Sequence, residues 1–437
     1  MGTEQSVIFK EKDNGGGLVD KMIYWIWLSL SCSPSGSSFG RLIKEFDDPK
    51  DIYEAEGRRI SSIIGFRNSD RSALEDKSLD RAEEILHFCR KHKVGLLPYS
   101  DERYPDLLRQ IENPPVLLYY RGVLPDFDRC FTVAAVGTRA LSDYGRKNAF
   151  RISYDLASAG ATVVSGMAVG IDGVAMAGAI AAGGATVAVI GSGIDVCYPP
   201  QHLRLAREIV KRGCVITEFA PGTQPSKFNF PKRNRIISGL SRATVVFEGA
   251  ERSGALITAR CAKEQGRAVY ALPGNVGTRT SQLSNLLIKN GAKICTSAED
   301  VLRDFGDAYR GVINPFLLKD RAMVDMMSAL TEYGVCAVCP GDDIFEAPRP
   351  RKSRENVNLG IDPPAPRELT EPVPVPADFD KRALSVYKRI PASGSCSLES
   401  LVDENMNLRE VMKCLLKLEM GGFIVMLPGE AVARKFK

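Results

Sequence analysis

The chain has 437 residues, of which 44% are apolar and 25% charged. That composition excludes a disordered, collagen-like or disulfide-scaffold protein and allows two or three domains with full cores. The net charge of +5 is mild, but residues 201–300 carry 16 Lys/Arg against 7 Asp/Glu, a candidate basic face for a polyanion.

In chain order, the first residues, through Gly15-Gly16-Gly17, read as a frayed end. Met22–Leu30, with Trp25 and Trp27, is too short to span a bilayer. A mixed polar and acidic stretch precedes it, unlike a signal peptide, so it reads as a buried helix and no membrane association is expected. Further helices are predicted at Phe39–Phe46, Pro49–Glu56 and Leu79–His92, which makes residues 20–92 a small all-helical domain. Short apolar runs bounded by Pro and Gly, Lys93–Leu97 and Pro115–Tyr120, read as strands.

From Phe131 to Gly306 strands and helices alternate. The strands are predicted at Thr132–Val136, Thr162–Val164, Thr186–Ile190, Cys214–Thr217, Thr244–Phe247, Ala268–Leu272 and Lys293–Cys295. The helices are predicted at Asp143–Ala159, Ile171–Ala182, Gln201–Lys211, Asn234–Leu240, Ala255–Gln265 and Ser281–Asn290. Apolar runs without polar alternation, joined by helices, imply a parallel sheet covered on both faces. Residues 93–306 are therefore expected to form a doubly wound, Rossmann-like α/β domain, with its ligand at the carboxyl ends of the strands. Residues 307–378 read as a partly disordered linker, with one helix at Ala322–Tyr333 and a Pro- and charge-rich stretch from Ala347. Residues 379–437 read as helices at Lys381–Arg389, Ser397–Asp403 and Leu408–Met420 and a final hairpin, the pattern of a winged helix.

Cys130, Cys214, Cys261 and Cys295 sit in apolar strand-like or helical contexts, as reduced core thiols do, and imply a reducing cytoplasm. Cys336 and Cys339 form a C-x-x-C with no second ligand pair nearby, so no metal is expected.

The segment Phe230-Pro231-Lys232-Arg233-Asn234-Arg235 sets three cations and an amide beside an aromatic ring. Arginine forks onto phosphate oxygens, and a ring can stack on a base. Around it, Gly137-Thr138-Arg139, Ser165 to Asp172, Gly191 to Asp195 and Glu248 to Gly254 each follow a strand and lead toward a helix. Such loops let backbone approach an anion. Gly191-x-Gly193 lacks the third glycine of a dinucleotide fingerprint and is not on the first strand, and no Walker lysine motif exists. No cofactor is expected. Asp172 and Glu248 are candidates for acid–base work, or for capping a helix or orienting an arginine. His202, the one histidine of the α/β domain, is expected at the surface, and no catalytic triad is evident.

Three motifs occur in order: Ser165-Gly166-x-Ala168-x-Gly170-Ile171-Asp172, then Phe230-Pro231-x-Arg233-Asn234-Arg235-Ile236-Ile237-x-Gly239-Leu240-Ser241, then Glu251-Arg252-Ser253-Gly254-x-Leu256-Ile257-Thr258-Ala259. Together with Pro273-Gly274 and Asn290-Gly291-Ala292 they closely resemble the bacterial DNA-processing protein A family. The resemblance implies a non-enzymatic single-stranded DNA binder that forms a homodimer, protects incoming DNA and loads the recombinase RecA in natural transformation. It implies a SAM-like N-terminal domain and a winged-helix extension. The implied DNA-binding residues are Arg139, Ser165, Gly166, Lys227, Phe230, Lys232, Arg233, Asn234, Arg235 and Arg252. Two departures stand out: Thr138 where the family writes Ser, and Leu283 where it writes Gly. An alternative is a nucleotide-processing phosphoribohydrolase, suggested by Pro273-Gly274-Asn275-Val276-Gly277-Thr278. The glutamate that chemistry expects after Thr278 is replaced by Arg279, Thr280, Ser281 and Gln282.

Overall fold

The computed structural model describes residues 17–34, 36, 38–63, 68–251, 253–314, 325–335, 376, 379–391, 395–397, 399–402, 406, 408–421, 423–427 and 431–434. They fall into two compact units, divided between residues 344 and 345. Residues 1–16, Cys336, Cys339 and all of the Pro-rich stretch but Pro376 lie outside the described residues.

The first unit opens with six helices: α1 (Gly17–Ser31), α2 (Ser38–Glu45), α3 (Pro49–Glu54), α4 (Gly57–Ser62), α5 (Asn68–Glu75) and α6 (Asp80–Lys91). Trp25, Ile26, Trp27 and Leu28 of α1 are buried, and the Trp27 indole donates to the Asp76 carbonyl at 2.8 Å. Asp48 caps α3 by accepting from the Lys50 amide, with Pro49 at the first helical position. Helices α4 and α5 escape prediction because each is too short and polar to show an apolar stripe. Tertiary burial of Ile60 and Leu74 holds them.

The α/β part has nine strands: β1 (Gly95–Pro98), β2 (Leu117–Gly122), β3 (Thr132–Val136), β4 (Thr162–Ser165), β5 (Thr186–Val189), β6 (Cys214–Thr217), β7 (Ala243–Val246), β8 (Ala268–Ala271) and β9 (Lys293–Ile294). Their order is β1-β2-β6-β5-β4-β3-β7-β8-β9. From β6 to β9 all neighbours are parallel. The outer pair differs from the all-parallel expectation: β2 runs antiparallel to both β1 and β6. Central β3 is buried throughout, with Ala134 opposite Val164 on one side and Thr244 on the other.

The helices of this part are α7 (Asp106–Arg109), α8 (Asp143–Ser158), α9 (Ile171–Ala181), α10 (Leu203–Arg212), α11 (Asn229–Gly239), α12 (Gly254–Glu264), α13 (Gln282–Lys289), α14 (Ala298–Phe305) and α15 (Met326–Glu332). Helix α9 is buried from Ile171 to Ala179, as an apolar helix without a polar face must be. Its approach to α8 is close: a Cβ on Gly178 would lie 2.5 Å from the Phe150 carbonyl oxygen. The chain winds from β3 through β4 and β5 to β6 in one direction and from β7 through β8 to β9 in the other. The switch between β3 and β7 opens a crevice at their carboxyl ends. One apolar cluster runs from Trp25 through Val133 to Leu302, so the helical part and one sheet face share a core.

The second unit contains α16 (Lys381–Arg389), β10 (Ser395–Ser397), α17 (Leu408–Met420), β11 (Ile424–Leu427) and β12 (Ala431–Arg434). Its antiparallel sheet has the order β10-β12-β11. The helix predicted at Ser397–Asp403 is replaced, among the described residues, by the end of β10 and a short 3-10 turn at Glu399–Leu401. The Ser-Cys-Ser run pairs with β12 because Cys396 opposite Val432 extends the sheet over the unit's own core. Among the described residues no helix is long and apolar enough to cross a membrane.

Candidate nucleic-acid interface

Helix α11 begins at Asn229, five residues before its predicted start, so the cationic segment is its first turns rather than a loop before it. Helical geometry then distributes the side chains. From Arg233 onward every residue of α11 is buried, whereas Phe230 and Lys232 are half-buried and Lys227 is exposed.

Phe230 stands over the carboxyl end of β5, where a Cβ on Gly191 would meet its ring at 2.9 Å. The ring lies 5.5 Å from that of Tyr198, and the Arg139 guanidinium sits 5.3 Å from its centroid. Arg139, exposed on the loop after β3, thus meets α11 at one aromatic platform. Lys227 lies 5.3 Å from the ring of Phe228, which is 67% exposed. Phe228 is an aromatic that the motifs do not include. Its only sequence signal is a second ring two residues before Phe230.

The two arginines do not reach outward in this structure. Arg233, 4% exposed, donates to the carbonyls of Gly166 and Val189. Burial brings its guanidinium down to about 10, partly offset by the neighbouring Asp172 carboxylate. Burial in turn pushes the Asp172 carboxyl up, against the pull of Arg233 and of the Ala168 and Gly166 amides. A Cβ on Gly166 would lie 2.6 Å from both the Arg233 nitrogens and Asp172 Oδ2, so only glycine lets these groups meet. Arg235 pairs through both guanidinium nitrogens with Glu218, at 2.9 and 2.7 Å, with the side chains 10% and 5% exposed. Asn234 donates to Gly254 O at 3.2 Å and fastens the start of α12. Ser165 Oγ donates to Ala135 O at 2.6 Å and ties β4 to β3. Arg252 lies outside the described residues.

Three carboxylates organise the cleft from within: Asp172 beside Arg233, Glu218 on Arg235, and Glu248 at the start of α8. Glu248 is 2% exposed and accepts from Ser142 N at 2.9 Å and Ser142 Oγ at 2.6 Å. His202, expected at the surface, is 1% exposed. Its Nδ1 lies 3.0 Å from Met167 O, and burial holds the imidazole below its ordinary range. The space it fills is left by Gly173, whose Cβ would lie 2.6 Å from the ring. Cys214 and Cys295 are buried thiols, while Cys130 and Cys261 are half-buried, and all four are unbridged.

The DNA recombination-mediator protein A family model matches residues 95–306. The DNA processing protein DprA of Streptococcus pneumoniae is 45% identical over 246 residues, which cover 56% of this chain and 86% of that protein. The chain belongs to the DNA recombination-mediator protein A family. Within that family, Protein Smf of Escherichia coli (strain K12) is 43% identical over 239 residues, covering 52% of this chain and 64% of that protein. The crystal structure of the DNA processing protein A of S. pneumoniae superposes with a TM-score of 0.56 at 36% identity, covering 64% of this chain and 97% of that one.

The departure at Leu283 has a physical account in this family member. Leu283 is fully buried beneath Gly249, whose Cβ would lie 2.8 Å from it, and its amide donates to Gly249 O at 2.9 Å. The Pro273-Gly274 loop stays fastened by Asn285, which accepts from Gly274 N at 3.2 Å and donates to Gly274 O at 2.9 Å. Thr138 keeps a hydroxyl that accepts from Ala140 N at 3.2 Å.

Proposed function

We propose that this chain binds single-stranded DNA at the carboxyl-end crevice and mediates its recombination, without catalysis or cofactor. The carrying observation is the half-buried Phe230 ring with Arg139 across it, an aromatic and cationic platform of the kind that stacks a base and neutralises its phosphate. Arg139, Lys227 and Lys232 contact the DNA backbone, Phe230 stacks a base, Phe228 offers a second ring, and Arg252 supplies a further cation. Arg233, Arg235, Asn234, Ser165 and Gly166 shape the platform from beneath. Family membership supports the rest of the reading: a cytoplasmic homodimer that protects incoming DNA in natural transformation and hands it to RecA. Residues 20–92 act as the SAM-like domain, 93–306 as the DNA-binding domain, 307–378 as the linker and 379–437 as a winged helix.

The test is a titration of fluorescent oligothymidylate over a range of salt. Arg139→Ala with Lys232→Ala is expected to weaken binding and flatten the salt dependence by about 1.4 in log–log slope, near 0.7 for each phosphate no longer neutralised. Phe230→Ala should cost about 1–3 kcal/mol at every salt concentration. Unchanged affinity and slope in all three substitutions would remove the reading.

A further inference from the structure

A doubly wound sheet has a built-in seat for a phosphate: the start of the helix that follows its first central strand, at the switch point. Here that seat is the start of α8 behind β3, and it is filled from inside the protein. Glu248 leaves β7, the strand across the switch, and turns its buried carboxylate onto Ser142, the N-cap of α8. Oε2 accepts from the Ser142 amide at 2.9 Å, and Oε1 accepts from the Ser142 hydroxyl at 2.6 Å. The same hydroxyl accepts from Gly145 N at 3.0 Å, so the carboxylate, the cap and the helix start form one closed set. A Cβ on Gly145 would lie 2.1 Å from Glu248 Oε2, so the helix turn is shaped around the carboxylate. In the loop after β4 a carboxylate from the helix's own first turn, Asp172 of α9, accepts from the Gly166 and Ala168 amides.

We propose that Glu248 is an internal stand-in for a phosphate: it occupies the Rossmann-type anion seat and so makes the crevice refuse free nucleotides and pyrophosphate. A polymer is then held by the outer cations and rings rather than by a terminal phosphate in the seat. The seat is identified by the anion already in it, not by the helix end alone. This inference does not depend on DNA binding and would hold for any ligand of the outer platform.

Pyrophosphate is the probe, read by thermal unfolding and by calorimetric titration. The unaltered chain is expected to bind none at millimolar concentration. Glu248→Ala, which removes the plug, is expected to bind it, with a midpoint rise of about 2 °C at ten times Kd. Glu248→Ser, equally short but polar, serves as the second opened variant. Saturable pyrophosphate binding to the unaltered chain that survives Arg139→Ala with Lys232→Ala would overturn the proposal whether or not the opened variants fold. A cooperatively folded Glu248→Ala or Glu248→Ser that binds none would overturn it equally. Oligothymidylate binding by the unaltered chain is measured separately, so the seat and the DNA reading can each fail alone.

Discussion

Arg233 and Arg235 show how little a residue's type says about its task. Both have the chemistry to grip phosphate, and both spend it on protein oxygens, because burying a guanidinium without partners is costly. Breaking a buried pair from one side leaves an uncompensated charge. We predict that Glu218→Ala destabilises the first unit by about 3–5 kcal/mol in urea unfolding, whereas Glu218→Leu with Arg235→Met restores most of the loss. If the single substitution costs nothing, Arg235 is not a brace. His202 gives a pH prediction. Its folded-state pKa lies below the ordinary 6.5, so the unfolded chain binds the extra proton. Its contribution to stability is therefore full above pH 6.5 and is lost as pH falls through the depressed value, with a slope of up to about 1.4 kcal/mol per pH unit. Urea midpoints at pH 7 and pH 5 should converge in His202→Gln relative to the unaltered chain. An equal drop in both would assign the acid sensitivity elsewhere.

At the scale of elements, the strands of the central sheet are legible from residues because each is a short apolar run that needs both faces covered. Helix starts are less so. Helix α11 begins at Asn229 instead of Asn234, since Phe230-Pro231-Lys232 carries no cap signal and only packing against β5 shows that the turn is helical. That shift of about one and a half turns decides which cations face inward. Helix α14 escapes prediction, although it carries a signal that is local in the chain, the Ser297–Asp300 capping box. The contact of α8 with α9 is specified by one atom's absence at Gly178. We predict that Gly178→Ala forces the two helices apart and costs about 1–3 kcal/mol, read by chemical denaturation. Gly57→Ala, where nothing lies within 4 Å of the added Cβ, should be tolerated and serves as the control.

At the scale of the molecule, the described residues build three apolar clusters, one on each face of the first unit's sheet and one in the second unit. The helices α1 to α6 and the nine-stranded sheet share apolar contacts from Trp25 to Leu302. Val386, Ile390, Leu415, Leu418 and Val432 close a core of their own in the second unit. Independent cores unfold independently. We predict two calorimetric transitions for the full chain, and one for a chain ending at residue 335, at the temperature of the larger transition. A single transition in the full chain would show that the units are thermodynamically coupled.

By itself the sequence determined the α/β class, the alternation of strands and helices from Thr132 to Cys295, and the family. Those follow from local patterning and from motifs whose residues lie near one another in the chain. Only the tertiary structure decided the antiparallel outer strands, the burial of His202, and which cations of the Phe230–Arg235 segment face the solvent. The reason is that Glu218, Glu248 and Asp172 come from three different strand ends. Whether an arginine meets a protein oxygen or stays at the rim depends on contacts 17 to 67 residues apart, which no local pattern encodes.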